Sequence, residues 1–413
     1  MAPTPTAVEG LLRELAPRVL GVLARRSGDF TASEDAVQEA LVAAHRTWSQ
    51  DGIPDRPRAW LLTAASRRLL DEQRSEAARR RRERDWAASE PADPDVLHHD
   101  DTLTVLLLCC HPALSPASAV ALTLRAVGGL TTAEVAAAYA VPEPTMATRI
   151  SRAKRQVRDS GQPFALPPPG ERHERVARVL HVLYLLFNEG YAASAGTHLT
   201  RPDLSAEAIR LARIAHRVLP DDRDVTALLA LLLLLDARRP ARVTASGEVV
   251  PLAEQDRALW DHGLVAEGTA LLDSTLGAGR LGAYQVQAAI AAVHDRATTA
   301  VDTDWPQVLA LYGLLEQVAP SPFVTLARAV ALAEVEGPDA AAPLVEQVAG
   351  QLPGHHRVDA VRGHLAELRG DPASARRHYL DAARRTTNLA GQRALTARAA
   401  ALARHGEPPS PPD

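Results

Sequence analysis

An all-α architecture is predicted for this chain: two small helical domains, the second a helix-turn-helix, followed by a helical-repeat domain. Three observations predict it. Ala and Leu dominate the 413 residues while aromatics make up 4%, which favours helix over strand. Apolar residues recur with helical periodicity through most of the chain. Acidic and Pro-bearing stretches divide those periodic segments into zones, and the length suffices for two to four domains.

The first zone, residues 1–85, contains Thr31-Ala32-Ser33-Glu34, whose capping-box spacing predicts a helix start. Ala36, Val37, Ala40, Leu41, Ala44 and Trp48 then form an apolar stripe, and Asp35, Gln38 and Glu39 form an outward polar face. After a turn from Asp51 to Pro57, Trp60-Leu61-Leu62 begins a helix that grows rich in Arg. Ten Arg stand against four acids between Arg56 and Arg84. That density marks either a nucleic-acid footprint or a solvated helix face. Trp60 is either core or a stacking surface for an unpaired base. Residues 86–102 contain the acidic stretch AASEPADPDVLHHDD and read as a linker.

Residues 103–161 carry the clearest local code. Ser115-Pro116 starts a helix as cap and first residue. Val120, Leu124 and Val127 line its inner face, and Gly128-Gly129 ends it. Thr131 to Glu134 is a second capping box, and Val135, Ala136 and Tyr139 give the next helix an apolar side. Val141-Pro142-Glu143-Pro144 is a tight turn. The last helix, Thr145 to Val157, buries Met146, Ile150, Ala153 and Val157 as one stripe. Thr145, Thr148, Arg149 and Arg152 take the opposite face, with Lys154 and Arg155 at its flanks. This is a helix-turn-helix with a basic, polar second helix for the major groove. Arg149 and Arg152 can donate forked hydrogen bonds to guanine edges or phosphates.

Residues 162–174 form a second linker, stiffened by Pro163, Pro167, Pro168 and Pro169. Residues 175–406 are a series of amphipathic helices, and 407–413 a disordered tail. Ala341, Val345 and Val348 recur 34 positions later as Ala375, Tyr379 and Ala382, and Ala329 recurs as Gly363. Such spacing of small residues is the tetratricopeptide (TPR) pattern, in which paired antiparallel helices pack closely. Ala208, Ala212, Ala215, Pro220, Leu229 and Ala230 make an earlier, degenerate copy, and Ala237 to Gln255 interrupts the series. A non-repetitive bundle is the alternative.

The strings GDFTASEDAVQEALVAAHRTW, IPDRPRAWLLTAASRRLLDEQR and LSPASAVALTLRAVGGLTTAEVAAAYAVPEPTMATRISRAKRQVR resemble extracytoplasmic-function (ECF) sigma factors of the sigma-70 superfamily. Both domains stand in the family's order, over about residues 8 to 160. VLHVLYLLFNEGYAASAG, PLAEQDRALWD and TDWPQVLALYGLLEQVAPSP resemble a subgroup with a TPR-like extension. The resemblance implies a subunit that binds core RNA polymerase, at its clamp helices and flap, and directs initiation at promoter DNA. It places Asp35, Gln38 and Glu39 against the polymerase. It places Trp60, Arg67, Arg68 and Arg74 near the −10 element, and Thr145, Thr148, Arg149, Arg152, Lys154 and Arg155 at the −35 element. Family members often carry a basic residue where Ser66 stands. The subgroup's extension implies control of activity, by holding the DNA-binding domains ready or by blocking one, with a protein partner on the repeat surface.

Other function classes find little support. The net charge is −4 and Lys154 is the only lysine. Cys109 and Cys110 are adjacent, which fits a reducing cytoplasm and lacks the spacing of zinc sites, so with His98, His99 and His111 nearby they still read as buried thiols. No signal peptide is expected, and the run Ala227 to Leu235 is too short to span a bilayer. Asn188-Glu189-Gly190-Tyr191 and His355-His356 have no partner motif for catalysis. The expectation is therefore a cytoplasmic, non-enzymatic protein without metal or cofactor.

Overall fold

The computed structural model describes residues 5–80, 101–139, 141–161, 163–193, 199–244, 246–277 and 280–405, the side chains of 72–80 and a few helix-end residues excepted. Most of the acidic linker and the tail beyond 405 lie outside them. The chain divides into two compact units, Met1–Leu185 and Leu186–Asp413. Regular structure among the described residues is helical throughout, save one isolated antiparallel bridge between Val243 and Val249.

Unit 1 begins with α1 (Pro5–Ser27), α2 (Phe30–Asp51) and α3 (Pro57–Arg80), which pack on one another. The apolar stripe of α2 is buried as its periodicity predicts, from Ala36 to Trp48. Its cap differs from the expectation. Asp29 takes the extended cap conformation, and its carboxylate accepts from Ala32 N at 3.0 Å. The Asp carboxylate, two residues earlier than Thr31, satisfies one of the free N–H groups at the helix start and leaves Glu34 for another use. On α3, Leu61, Ala65 and Leu69 face the core.

The remaining helices of this unit are α4 (Thr102–Cys109), α5 (Pro116–Ala126), α6 (Thr132–Ala138), α7 (Glu143–Asp159) and most of α8 (Pro169–Tyr191). Every residue of α4 is buried. Ser115 caps α5 and the Thr131–Glu134 capping box starts α6, both as read from sequence. Gly129 sits at φ +68°, the left-handed turn that a β-carbon resists. α8 begins inside the Pro-rich stretch read as extended, with a proline in its first turn, where no N–H is missed.

Unit 2 continues with α9 (Pro202–Val218), α10 (Arg223–Ala237), α11 (His262–Thr275), α12 (Ala283–Arg296), α13 (Trp305–Val318), α14 (Pro322–Glu336), α15 (Pro338–Gln351), α16 (His356–Leu368), α17 (Pro372–Arg385) and α18 (Leu389–His405). Each packs on the next in sequence. α10 also meets α12, so its apolar run is covered on nearly every side. The repeat residues are buried as the TPR pattern requires: Ala329, Ala341, Val345 and Val348, then Ala375, Tyr379 and Ala382. A β-carbon on Gly363 would lie 2.7 Å from the Tyr379 ring, so α16 and α17 approach closely because that side chain is missing. The interruption at 237–255 contains two short 3-10 turns and the Val243–Val249 bridge. Arg238 and Arg257 flank the ring of Trp260 at 5.3 and 4.8 Å, and Arg238 pairs with the buried Asp295 at 2.7 Å.

The Asn188–Tyr191 string is structural. Arg201 N donates to Gly190 O at 2.6 Å, and a β-carbon on Gly190 would lie 2.3 Å from the backbone N of Ser205. Tyr191 stacks on Phe187, and the Arg242 guanidinium lies 3.5 Å from its ring centre. Gly190→Ala therefore forces backbone apart and should destabilise unit 2 by about 1–3 kcal/mol. Gly313→Ala on α13, where nothing lies within 4 Å of the new carbon, should be neutral or stabilising by about 0.5–1 kcal/mol. Denaturant unfolding of the two variants decides it, and equal midpoints would remove the close-approach argument.

Candidate nucleic-acid and polymerase interface

The second helix of the helix-turn-helix is α7. Met146, Ile150, Ala153 and Val157 are buried as one stripe. Thr145, Thr148, Arg152 and Arg155 are exposed and Arg149 is half-buried. Thr145, Thr148, Arg149 and Arg152 line a concave surface with Ser115 and Ser118 from the start of α5. The Thr148 hydroxyl donates to Pro144 O at 2.8 Å, so outward it can only accept. The face thus presents Arg forks flanked by small hydroxyl side chains, a set that matches phosphates and guanine edges.

Lys154 departs from its expected place at the flank of this face. It is 7% exposed and points to the opposite side of α7. Its Nζ lies 2.5 Å from Glu34 Oε2 and 2.6 Å from Asp35 Oδ1 on α2. Burial pulls its pKa down, but the two carboxylates outweigh that and hold the ammonium above the ordinary lysine range. Helical phase contains the signal: at about 100° per residue, position 154 falls roughly 160° from position 152.

Gln38 also departs from the outward placement. It is 6% exposed, and its Nε2 donates to Arg125 O of α5 at 2.8 Å. Asp35 and Glu39 are exposed as expected. Glu34, read from sequence as a capping-box residue, and Arg125, which sequence reasoning left without a role, complete this contact. Glu34 has no exposed surface, and Arg125 Nε lies 3.2 Å from its Oε1.

On α3, Arg67 and Arg68 are exposed. Arg68 pairs with Glu39 at 2.8 Å, a solvent-exposed bridge of at most about 1 kcal/mol that a stronger partner can displace. Trp60 is half-buried and meets Trp48 edge-on, with ring centres 5.6 Å apart. It is thus a core residue with one accessible part. Arg74 lies on α3, its side chain outside the described residues.

Helical domains with one basic reading helix and a second Arg-bearing helix define a DNA-binding protein of the helix-turn-helix class. Comparison with known proteins supplies the family. Sigma-70 region 2 matches residues 11–80 and Sigma-70, region 4 matches residues 104–157. A family of unknown function (DUF6596) matches residues 175–276. An uncharacterized protein of Rhizobium meliloti is 40% identical over 90% of each chain. The ECF RNA polymerase sigma factor SigK of Mycobacterium ulcerans is 33% identical over 34% of this chain and 79% of its own. SigE of Mycolicibacterium smegmatis, also an ECF RNA polymerase sigma factor, is 29% identical, with 36% of this chain and 59% of its own covered. The chain belongs to the ECF sigma factors of the sigma-70 family. It is accordingly a DNA-binding transcription-initiation factor with core RNA polymerase and promoter DNA as partners, and that family is not an enzyme class.

The cysteine and histidine clusters have structural roles. Cys109 and Cys110 are buried, and Cys110 Sγ lies 3.7 Å from Thr123 Oγ1. Burial pushes the Cys110 thiol up to about 12 and raises Cys109 as well. His355 caps α16, its Nδ1 accepting from Arg357 N at 3.2 Å. His98 and His99 lie outside the described residues. No helix among the described residues is long and apolar enough to cross a membrane. Both thiols should resist alkylation in the native chain at pH 7 and react at once on denaturation. Rapid modification of either native thiol, read by mass spectrometry, would contradict this burial.

Proposed function

We propose that this sigma factor reads the −35 element with α7 and the −10 element with α3, and that its C-terminal helices control its activity. The observation that carries the reading is the exposed set Thr145, Thr148, Arg152 and Arg155 with Arg149, placed opposite a fully buried stripe. Arg149 and Arg152 supply base or phosphate forks, the threonines position the helix, and Arg155 adds a phosphate contact. Trp60, Arg67, Arg68 and Arg74 serve the −10 element, Trp60 through its accessible part. Asp35 and Glu39 face the polymerase clamp helices, while the buried Gln38 holds α2 to α5, and residues 103–161 approach the flap. Region 2 then spans 1–85, region 4 spans 103–161, and the acidic linker between them leads toward the active-site channel. Residues 175–406 form the TPR-like extension, which takes a protein partner.

Arg152→Ala should weaken promoter binding by about 1–3 kcal/mol if its contact is bidentate to a base. Affinity for core polymerase should stay as it is. Normal initiation by both Arg149→Ala and Arg152→Ala at the native promoter would overturn the −35 assignment. Transcription by residues 1–185 against the full chain tests the extension, with a required, activating role expected. Equal promoter output from both, each folded, would make it a bystander.

A further inference from the structure

We propose that unit 2 binds a small amphiphilic organic acid in the cavity against the Pro251–Trp260 segment, with the anionic group on Arg257 and the apolar body against Trp305 and Tyr312. Such a site is additional to a protein partner on the repeat surface and independent of it.

The cavity is built by the repeats and closed by their interruption. Ala327, Val330 and Glu334 follow one another along one face of α14, and Ala360, Val361 and His364 along one face of α16. With Trp305 and Tyr312 of α13 they wall a space of about 510 Å³. Its remaining wall includes Pro251, Leu252, Ala253 and Arg257, from the break in the repeat series and the turn that follows it. That segment is anchored. Arg257 Nη1 donates to His294 O at 2.6 Å and to Ala297 O, and Glu254 pairs with Arg398 of α18 at 3.3 Å. Repeat stacks offer an extended concave surface to their partners. Here the chain's own segment lies against α14 and α16, and what stays open has the size that encloses a small molecule, about 300–1,000 Å³. A second cavity of about 760 Å³ adjoins the first, and Ala253, Arg257 and Ala300 line both.

Charge selects the ligand. The carboxylates around the junction are already engaged. Asp295 pairs with Arg238 at 2.7 Å, Glu254 with Arg398, and Glu334 meets His364 at 3.4 Å. Asp256 accepts from Ala258 N and Asp302 from Thr299 N, both at 2.9 Å. Arg257 spends its hydrogen bonds on carbonyls and forms no ion pair among the described residues. One cation is thus left over in the shared wall, with Nη2 available to a ligand oxygen. An anion there gains a charge-assisted hydrogen bond in a site partly shielded from water. Beyond it Leu252, Trp305, Tyr312, Val330 and Val361 take an apolar or aromatic body.

The polar groups at the junction are also under-satisfied. Gln255 Oε1, Arg257 Nε, Trp260 Nε1 and Asp295 Oδ2 are buried without a hydrogen-bond partner, and all four gather here. Ordinary packing does not leave such groups together. Burial drives His294 down to about 4, Asp295 up and Arg257 down, so three adjoining groups are each pushed toward their neutral forms. Perturbed groups beside an apolar cavity are the mark of a binding site more than of a repeat seam.

The test uses the full chain, without polymerase, and two fluorescent probes. Anilinonaphthalenesulfonate carries one anionic group on an aromatic body, and phenylnaphthylamine is that body without the charge. The sulfonate should bind saturably at one site per chain. Arg257→Gln should weaken it by about 10-fold or more and change the neutral probe by about 2-fold or less, because only the sulfonate meets the guanidinium. Arg257→Met, which keeps the stem beside Trp260, serves if the glutamine variant does not fold. Ala327→Leu and Ala360→Leu, at half-buried wall positions, fill the cavity and should weaken both probes together. Circular dichroism and thermal melting confirm that each variant is folded. Absence of saturable sulfonate binding to the parent overturns the proposal. So does sulfonate affinity unchanged in a folded Arg257 variant, or affinity for both probes unchanged in the folded wall variants. Because polymerase takes no part, none of these outcomes bears on the sigma-factor reading.

Discussion

A carboxylate with no exposed surface constrains the arrangement of unit 1. Glu34 can be charged there only beside cations, and Lys154 and Arg125 provide them from two helices distant in sequence. Asp35, the next residue, points about 100° further round α2 and takes a second side of the same ammonium. One lysine bridging two adjacent carboxylates fixes more than a distance. It sets the rotation of α7 about its own axis, and with it which face looks outward. The chain otherwise uses Arg for its cations. An ammonium is a compact point charge, whereas a guanidinium is a planar fork that favours one bidentate partner. The exception fits the geometry of that contact.

Unit 2 solves a different problem. At several helix crossings a missing side chain lets backbones and neighbours approach closely. Gly190 against the backbone of Ser205, Gly268 against Leu234 and Gly363 against Tyr379 are sites where a β-carbon would collide. Such contacts are local, helix to next helix, as in repeat stacks. The break in the series is not a gap in packing. Arg238, Arg257, Trp260 and Asp295 knit it to α12 with stacked and paired side chains, Arg257 donating to the carbonyls of His294 and Ala297. Beside them His294 is driven down to about 4 by burial and then by the two arginines, so it is neutral at pH 7. The unfolded chain takes up that proton near about pH 6.5 and the folded one only near 4. Its stabilising effect is therefore complete above the first value and fades as pH falls through the second.

Much of this was legible in the sequence because helices announce their buried stripe. Met146, Ile150, Ala153 and Val157, the stripe of α2, the caps at Ser115 and Thr131, and the repeat alanines could all be read from spacing alone. The misread residues share a cause. Gln38 and Lys154 are polar, and periodicity sorts apolar from polar without telling which polar side meets another part of the chain. Phase shows that Lys154 is not on the reading face, yet nothing local points to Glu34, 120 positions earlier. The cap at Asp29 was hidden by a competing match, since Thr31 and Glu34 have the right spacing but both lie within the helix, past its cap. Asn188–Tyr191 has residue types that can serve chemistry, but the absence of a partner motif already argued against it. Its meaning is steric, and sterics at one glycine depend on what a distant helix brings.

The two sides of α7 answer to different constraints. One side carries Met146, Ile150, Ala153 and Val157 into the core and Lys154 to Glu34 and Asp35. The other leaves Thr145, Thr148, Arg152 and Arg155 exposed. A helix turns as one body, so the contacts on the first side set where the second side points. The exposed arginines keep long, solvated side chains, while packing and one buried ammonium hold the helix beneath them.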